Sequence, residues 1–362
     1  MNPTAQLNRA GQSLWLDNIT RDLLASGRLQ HYIDDFAVTG LTSNPTIYDK
    51  AIGGTAAYDE AIRAAAARGA SGEAIFFELA LDDLTRAADL FRPVHDRTGG
   101  VDGFVSLEVS PILAYDAEAT TREAARLHGL AGRPNLFIKI PGTVEGLRAI
   151  EETIFAGVPV NVTLLFSPSH HLAQAEAYTR GIERRVEAGL SADVASVASV
   201  FISRWDSAVA GKVPDDLENR LGVAIGARAY ADHRRFFASD RWQRLLNVGA
   251  RPQRLLFAST GTKDPTASDV LYVAGLAAPY TVNTMPEETL LAFADHGSFG
   301  DLLPADPGPG DALLARFEVA GVDVEAVGRE LQEKGAAAFV ASWSSLLERI
   351  AARVAEVTGV AR

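Results

Sequence analysis

The segment Leu136-Phe137-Ile138-Lys139-Ile140-Pro141-Gly142 decides how this chain reads. It is short, apolar and closed by Pro-Gly, as expected of a strand buried on both faces, and one lysine interrupts it. Side chains alternate across a strand, so Lys139 points opposite to Ile138 and Ile140. Facing inward, the amine loses water, and burial favours the neutral form that can attack a carbonyl and form a Schiff base. Facing outward, it is an ordinary strand-end lysine in solvent or beside a helix carboxylate. Position alone leaves both readings open.

Seven more short runs of this kind lie around the first. Together the eight candidate strands fall near 13–17, 37–44, 103–109, 136–140, 158–166, 194–203, 254–260 and 280–285. Ala/Leu/Glu/Arg stretches of helical period separate them, and nearly all the runs end in polar or small residues followed by Pro, Gly, Ser or Thr. Eight such repeats predict an α/β fold, a closed (β/α)₈ TIM barrel. Three connections exceed one helix: between the second and third strands (helices near 59–68 and 75–91), between the sixth and seventh, and after the eighth. The last contains Leu303-Pro304-Ala305-Asp306-Pro307-Gly308-Pro309-Gly310, read as a loop that no helix crosses. Beyond it Phe339, Trp343, Leu346, Leu347, Ile350 and Val354 form one apolar stripe. The expectation is a single barrel domain over 1–362, with 286–362 as a helical extension packed on its wall. A lid is the second reading of that tail.

Composition narrows the function. The chain has 362 residues, 47% hydrophobic and 22% charged, which excludes disorder. Its net charge of −12 repels nucleic acid and anionic lipid, so an anionic ligand must be held by a few placed cations. There is no cysteine, hence no disulfide, thiolate zinc site or iron–sulfur cluster. Residues 1–10 lack a signal-peptide core and no apolar run is long enough to span a membrane. The expectation is a soluble cytoplasmic protein with no nucleic-acid or membrane partner; monomer and homodimer both stay open. The seven histidines show no metal-ligand spacing, and the adjacent His170 and His171 diverge on a helix. No Walker loop, dinucleotide fingerprint or Gly-x-Ser-x-Gly elbow occurs. Asn161-Val162-Thr163 matches a glycosylation sequon, but nothing directs the chain to secretion.

A barrel works at the C-terminal ends of its strands. The polar residues expected there are Asp17, Asn44, Glu108, Lys139, Asn161, Thr163, Ser199, Ser203, Arg204, Ser259, Lys263 and Asn283. Asp17 and Glu108 are lone carboxylates in apolar strands, costly to bury unless paired. One of them could pair with Lys139; two need not, and general acid/base work on a hydroxyl or water is the alternative. Arg204 and Lys263 stand beside hydroxyls and Gly at strand-to-helix turns, which suits a phosphate. Each could equally be a surface cation beside Asp206 or Asp264.

Several of these segments resemble the transaldolase family: Phe137-Ile138-Lys139-Ile140-Pro141-Gly142-Thr143, Gly40-Leu41-Thr42-Ser43-Asn44-Pro45, Ser106-Leu107-Glu108-Val109 and Asn161-Val162-Thr163-Leu164-Leu165-Phe166. Ala258-Ser259-Thr260-Gly261-Thr262-Lys263 and the length are similar to its longer bacterial form. The resemblance implies that Lys139 is the Schiff-base nucleophile and that Asp17 takes the C4 hydroxyl proton of a ketose. It implies that Glu108 and Thr163 hold a catalytic water, and that Asn44 and Asn161 hold the dihydroxyacetone fragment. Ser199 would bind the donor and Arg204 its phosphate, with Phe201 and Ser259 also in the substrate-binding set. The implied partners are sugar phosphates, with no metal or cofactor. Two departures stand out. Many members carry a second phosphate-binding Arg near the Ser259 loop, where this chain has Gly261-Thr262-Lys263, making Lys263 the substitute. The usual Ser-Pro-Phe of the sixth strand is Ser199-Val200-Phe201. Two alternatives follow: a fructose-6-phosphate aldolase-like lyase, whose shorter members have Gln for Glu108 and Tyr for Phe201, or a non-catalytic sugar-phosphate-binding barrel.

Overall fold

A computed structural model describes residues 2–70 and 72–359. The outer limits of the expected 1–362 unit and 286–362 extension, Met1 and residues 360–362, lie outside the described residues. Eight parallel strands close into a barrel in sequence order: β1 (Gln12–Asp17), β2 (Val38–Thr42), β3 (Val105–Glu108), β4 (Leu136–Pro141), β5 (Val160–Leu165), β6 (Ser196–Phe201), β7 (Arg254–Ala258) and β8 (Thr281–Met285). All eight expected strands are present, each within a few residues of its expected ends.

The register sets the site. Asp17 pairs with Thr42 across β1–β2, Glu108 with Lys139 across β3–β4, and Lys139 with Asn161 across β4–β5. Alternation puts Ser13, Trp15 and Asp17 on one face of β1, and Phe137 and Lys139 on one face of β4. Trp15 is fully buried and its ring lies 6.1 Å from that of Phe137, which stacks on Phe104 at 4.1 Å. A side chain at Gly40 would place its Cβ 2.5 Å from the Trp15 ring, so glycine there is what lets the indole occupy the barrel interior. This aromatic layer lies between the two ends of the barrel.

The strand-to-helix turns are helix caps. Asn44 accepts from the Ile47 amide, Thr143 from Gly146 and Ser167 from His170, with proline in the first turn after Asn44 and Ser167. The long second connection holds helices Pro45–Gly54, Asp59–Ala67 and Gly72–Arg97; the sixth holds Ser203–Val209, Leu221–Phe237 and Asp240–Asn247.

Beyond β8, two expectations change. The segment read as helix-free to Gly310 ends earlier, because helix Gly308–Val319 begins inside it. Pro309 sits in the first turn, where a missing N–H leaves no bond unmade. The stripe belongs to helix Val324–Thr358, which crosses the C-terminal end of the barrel rather than lying only on its wall. Gln332 Nε2 donates to the carbonyls of Gly142 (3.0 Å) and Leu164 (2.9 Å), at the ends of β4 and β5. Further along, Thr46 Oγ1 donates to Ser342 Oγ (2.8 Å), and Arg349 Nε to Asp49 Oδ1 (2.6 Å), on the helix after β2. Trp343 anchors the crossing between Phe76 (4.9 Å) and Phe77 (5.7 Å), contacts each worth about 0.5–1.5 kcal/mol beyond area burial. No helix among the described residues is long and apolar enough to cross a membrane.

Candidate active site

The polar strand ends converge on a cavity of about 290 Å³, lined by Asp17, Asn44, Lys139, Thr163 and Ser199, with Phe201, Arg204, Ser259 and Lys263 toward β6 and β7. Lys139 faces inward and is buried. Its Nζ lies 3.2 Å from Glu108 Oε2, donates to the Ser43 carbonyl at 3.2 Å and sits 5.7 Å from the centre of the Phe339 ring. The outward reading of this lysine is therefore wrong, and its ion pair uses only one of the two carboxylates.

Asp17 is the other. Thr42 Oγ1 donates to its Oδ1 at 2.7 Å, and Thr42 is itself bonded to Thr284 at 2.7 Å. Loss of solvent raises the Asp17 pKa more than the nearby Lys139 and the Thr42 hydrogen bond lower it. Glu108 is raised in the same way, by burial first, against the opposing charge of Lys139. Among the described residues, neither Glu108 oxygen receives a well-directed hydrogen bond, and the buried Thr163 hydroxyl also has no partner. These unmatched groups sit on β3 and β5, the two neighbours of β4.

The amides and hydroxyls are more committed than their sequence suggested. Asn161 Nδ2 donates to Ser106 Oγ (3.0 Å) and its Oδ1 accepts from Ser199 Oγ (2.7 Å), making a buried chain across the barrel. Asn44 spends its Oδ1 on the helix cap, leaving its Nδ2 for a ligand. Ser259 has a left-handed backbone (φ 56°) and bonds Ser203 through their hydroxyls (2.9 Å). Such a conformation is uncommon for serine and concentrates at functional sites. Asn283 accepts from Thr260 (2.8 Å) and lies outside the cavity lining.

Neither cation has a carboxylate partner among the described residues, which leaves both for a ligand. Asp206, the sequence candidate for a partner of Arg204, instead accepts from Tyr272 (2.8 Å) and the amides of Leu221 and Gly222. Arg204 is half-buried against the Phe201 ring (5.3 Å), and desolvation lowers its pKa. Asp264 takes Asn219 and Thr266, so it does not occupy Lys263.

Several lining residues escape a reading of the sequence, Phe339, Lys50 and Thr284 among them. Phe339 reads as core from its stripe; Lys50 lies on the helix after β2. The sequence shows only that lysine is scarce, with five in the chain; that Lys50, Lys139 and Lys263 line one cavity appears in three dimensions. The sequon falls on β5 with Asn161 and Thr163 fully buried, out of reach of modification. Among the described residues no three carboxylate or imidazole groups cluster as a metal site requires.

Comparison with known proteins identifies the family. The family model described as Transaldolase/Fructose-6-phosphate aldolase matches residues 14–350. The chain belongs to the transaldolase/fructose-6-phosphate aldolase family. Proteins named Transaldolase are similar over almost their whole length. One from Frankia alni is 44% identical over 360 residues, 97% of this chain and 97% of that one. One from Thermobifida fusca is 45% identical over 366 residues, covering 99% and 100%. A third, from Acidothermus cellulolyticus, is 45% identical over 353 residues, covering 95% of each. The family match runs from within β1 through β8 and over most of helix Val324–Thr358, so the greater part of the crossing helix lies within it.

Proposed function

We propose that the chain is a transaldolase. It moves a dihydroxyacetone unit from sedoheptulose 7-phosphate to glyceraldehyde 3-phosphate, giving erythrose 4-phosphate and fructose 6-phosphate. The observation that carries this reading is a buried inward lysine opening onto the same cavity as Asp17, with Glu108 3.2 Å away.

Lys139 must lose a proton to become a nucleophile, and Glu108, whose own proton affinity burial has raised, lies within reach of it. The amine attacks C2 of the ketose, and loss of water from the carbinolamine leaves an iminium. Asp17 takes the C4 hydroxyl proton while the C3–C4 electron pair moves into the iminium, releasing the aldose and leaving an enamine on Lys139. Addition of that enamine to the acceptor aldehyde, with Asp17 returning the proton, and then hydrolysis complete the transfer. The unmatched Glu108 carboxylate and Thr163 hydroxyl hold the water lost and regained. Arg204 and Lys263 hold the phosphate, Arg204 as the fork-shaped donor. Asn44 and the Asn161–Ser199 pair hold the fragment's oxygens. The chemistry draws on side chains alone.

Glu108 and Phe201 favour transfer over release, because the aldolases that resemble this chain carry Gln and Tyr there. The test is borohydride reduction in the presence of fructose 6-phosphate, followed by peptide mapping. A dihydroxyacetone-sized adduct is expected on Lys139, still formed by Asp17→Asn when dihydroxyacetone itself is the probe. An adduct scattered over surface lysines sinks the mechanism. Free dihydroxyacetone as the main product, even with acceptor present, makes the chain an aldolase.

A further inference from the structure

A cavity larger than the one that holds Lys139 lies elsewhere in the molecule. A space of about 750 Å³ opens at the opposite, N-terminal end of the barrel, beneath the Trp15–Phe137 layer. Closed barrels are filled with side chains there, and an unfilled volume forfeits the contacts its lining would make. This one lies within the size range of small-molecule sites. Its walls are mostly apolar, with Phe104, Phe137, Val197, Tyr230, Phe237 and Pro252 among them.

Three guanidiniums stand at this cavity: Arg234, Arg251 and Arg254. Arg254 is half-buried and committed, with Nη2 donating to Ser13 Oγ (2.6 Å) and the Thr281 carbonyl (2.8 Å), and Asp102 3.8 Å from Nη1. Arg251 is held by Asp193 (2.9 Å) and the Gly99 carbonyl (2.6 Å). Arg234 differs. It is exposed, has no carboxylate partner among the described residues, and lies over the ring of Tyr280 at 5.4 Å. Tyr280 has a left-handed backbone (φ 62°) and an exposed ring at the lip of the cavity. A bulky aromatic residue held in that conformation marks strain that the surrounding structure maintains. His233 adds no charge, because burial and the neighbouring His171 hold its pKa well below the ordinary value. Two carboxylates stand against these three arginines, Asp102 beside Arg254 and Asp193 on Arg251, so Arg234 leaves one positive charge in excess on a chain whose net charge is −12. The excess charge at the lip is thus opposite in sign to that of the chain as a whole.

We propose that this cavity is a second ligand site, for an organic anion with an apolar ring body and one carboxylate, sulfonate or phosphate group. The ring lies against the aromatic wall and the anion meets Arg234 at the lip. The site is independent of the catalytic cavity, from which the Trp15–Phe137 layer divides it.

Anilinonaphthalene sulfonate has this chemistry and fluoresces when its rings enter an apolar site. Titration of the full chain is expected to show one dye per chain, unaffected by saturating fructose 6-phosphate. Arg234→Glu is expected to weaken dye binding roughly tenfold or more, about 1.4 kcal/mol, while Arg234→Lys keeps most of it. Melting temperature and sugar-phosphate turnover stay at wild-type values in both variants, because Arg234 is exposed and touches neither catalytic group. The uncharged analogue N-phenyl-naphthylamine is expected to bind more weakly and to be indifferent to either substitution. Dye binding equal in Arg234→Glu and wild type, no saturable binding, or displacement by fructose 6-phosphate overturns the proposal. So does dye binding lost in step with self-association as chain concentration rises, since a second copy would then cover this face.

Discussion

The two ends of one barrel carry opposite solutions to burying charge. At the C-terminal end, Lys139 and Glu108 are paired but under-bonded, Asp17 holds a carboxylate partly out of water, and Arg204 has no carboxylate partner among the described residues. At the N-terminal end, Asp102 accepts from Ser13, Trp15, and the Gly103 amide beside Arg254, which spends its own donors on Ser13, Thr281 and Val101. The same strands supply both: β1 gives Ser13 below Trp15 and Asp17 above it, and β4 gives Phe137 below Lys139. The paired charges of Asp102 and Arg254 hold the fold; the under-bonded charges around Lys139 are left for a substrate. Substitutions at the two ends should therefore fail in different assays.

Lys139→Met is the largest expected effect. With no amine, no Schiff base forms, and transfer falls by about 10⁴-fold or more, to background, with no borohydride adduct. Glu108 then takes up a proton and the fold survives, so the circular-dichroism melt stays cooperative. Retained transfer would break the contrast outright. Arg254→Met is next and is its mirror image. It leaves the buried Asp102 without its cation, which costs about 3–5 kcal/mol in urea unfolding, while turnover per folded molecule is unchanged. A normal midpoint with depressed turnover would reverse the assignment of the two ends.

Much of this is legible in the order of the residues. Strands show as apolar runs closed by turn residues, and Lys139, Glu108 and Asp17 stand out because a charge in such a run demands a reason. Less visible is what a buried face packs against. The stripe from Phe339 to Ile350 announces burial, but the same pattern serves a helix on the wall or across the mouth. The hydrogen bonds of Gln332 and the fit of Gly328 against Ser167, where an added Cβ would come within 2.8 Å, settle that only in three dimensions. Hydroxyl chains such as Ser106–Asn161–Ser199 join residues far apart in sequence and leave no periodic trace. The N-terminal cavity is equally silent, being built from single residues at strand starts.

Phe339→Leu tests the crossing helix with a smaller effect. The ring shields Lys139 at 5.7 Å, and a smaller side chain admits water to the enamine stage. The expected result is a several-fold rise in free dihydroxyacetone relative to transferred product, with the Lys139 adduct still formed. An unchanged product ratio would return the helix to the role of a wall.

The smallest effect distinguishes the ends by pH. Burial raises the Asp17 pKa, so the folded chain keeps that proton at pH values where the unfolded chain has lost it. Its stabilising share is complete below the ordinary carboxylate pKa of about 3.9 and is lost as pH rises through the elevated folded value. Near neutral pH the ionised group is a net burden, because the desolvation outweighs the attraction of Lys139. Asp17→Asn removes the charge and keeps an oxygen for Thr42. It should melt a few degrees above wild type near neutral pH, a shift of the size expected for about 1 kcal/mol or less in a chain of this length. The gap should close as the pH falls toward about 4, where the wild-type carboxyl is itself neutral. A variant less stable than wild type near neutral pH would mean that the charge of Asp17 is a satisfied one, and that the catalytic end is built like the other.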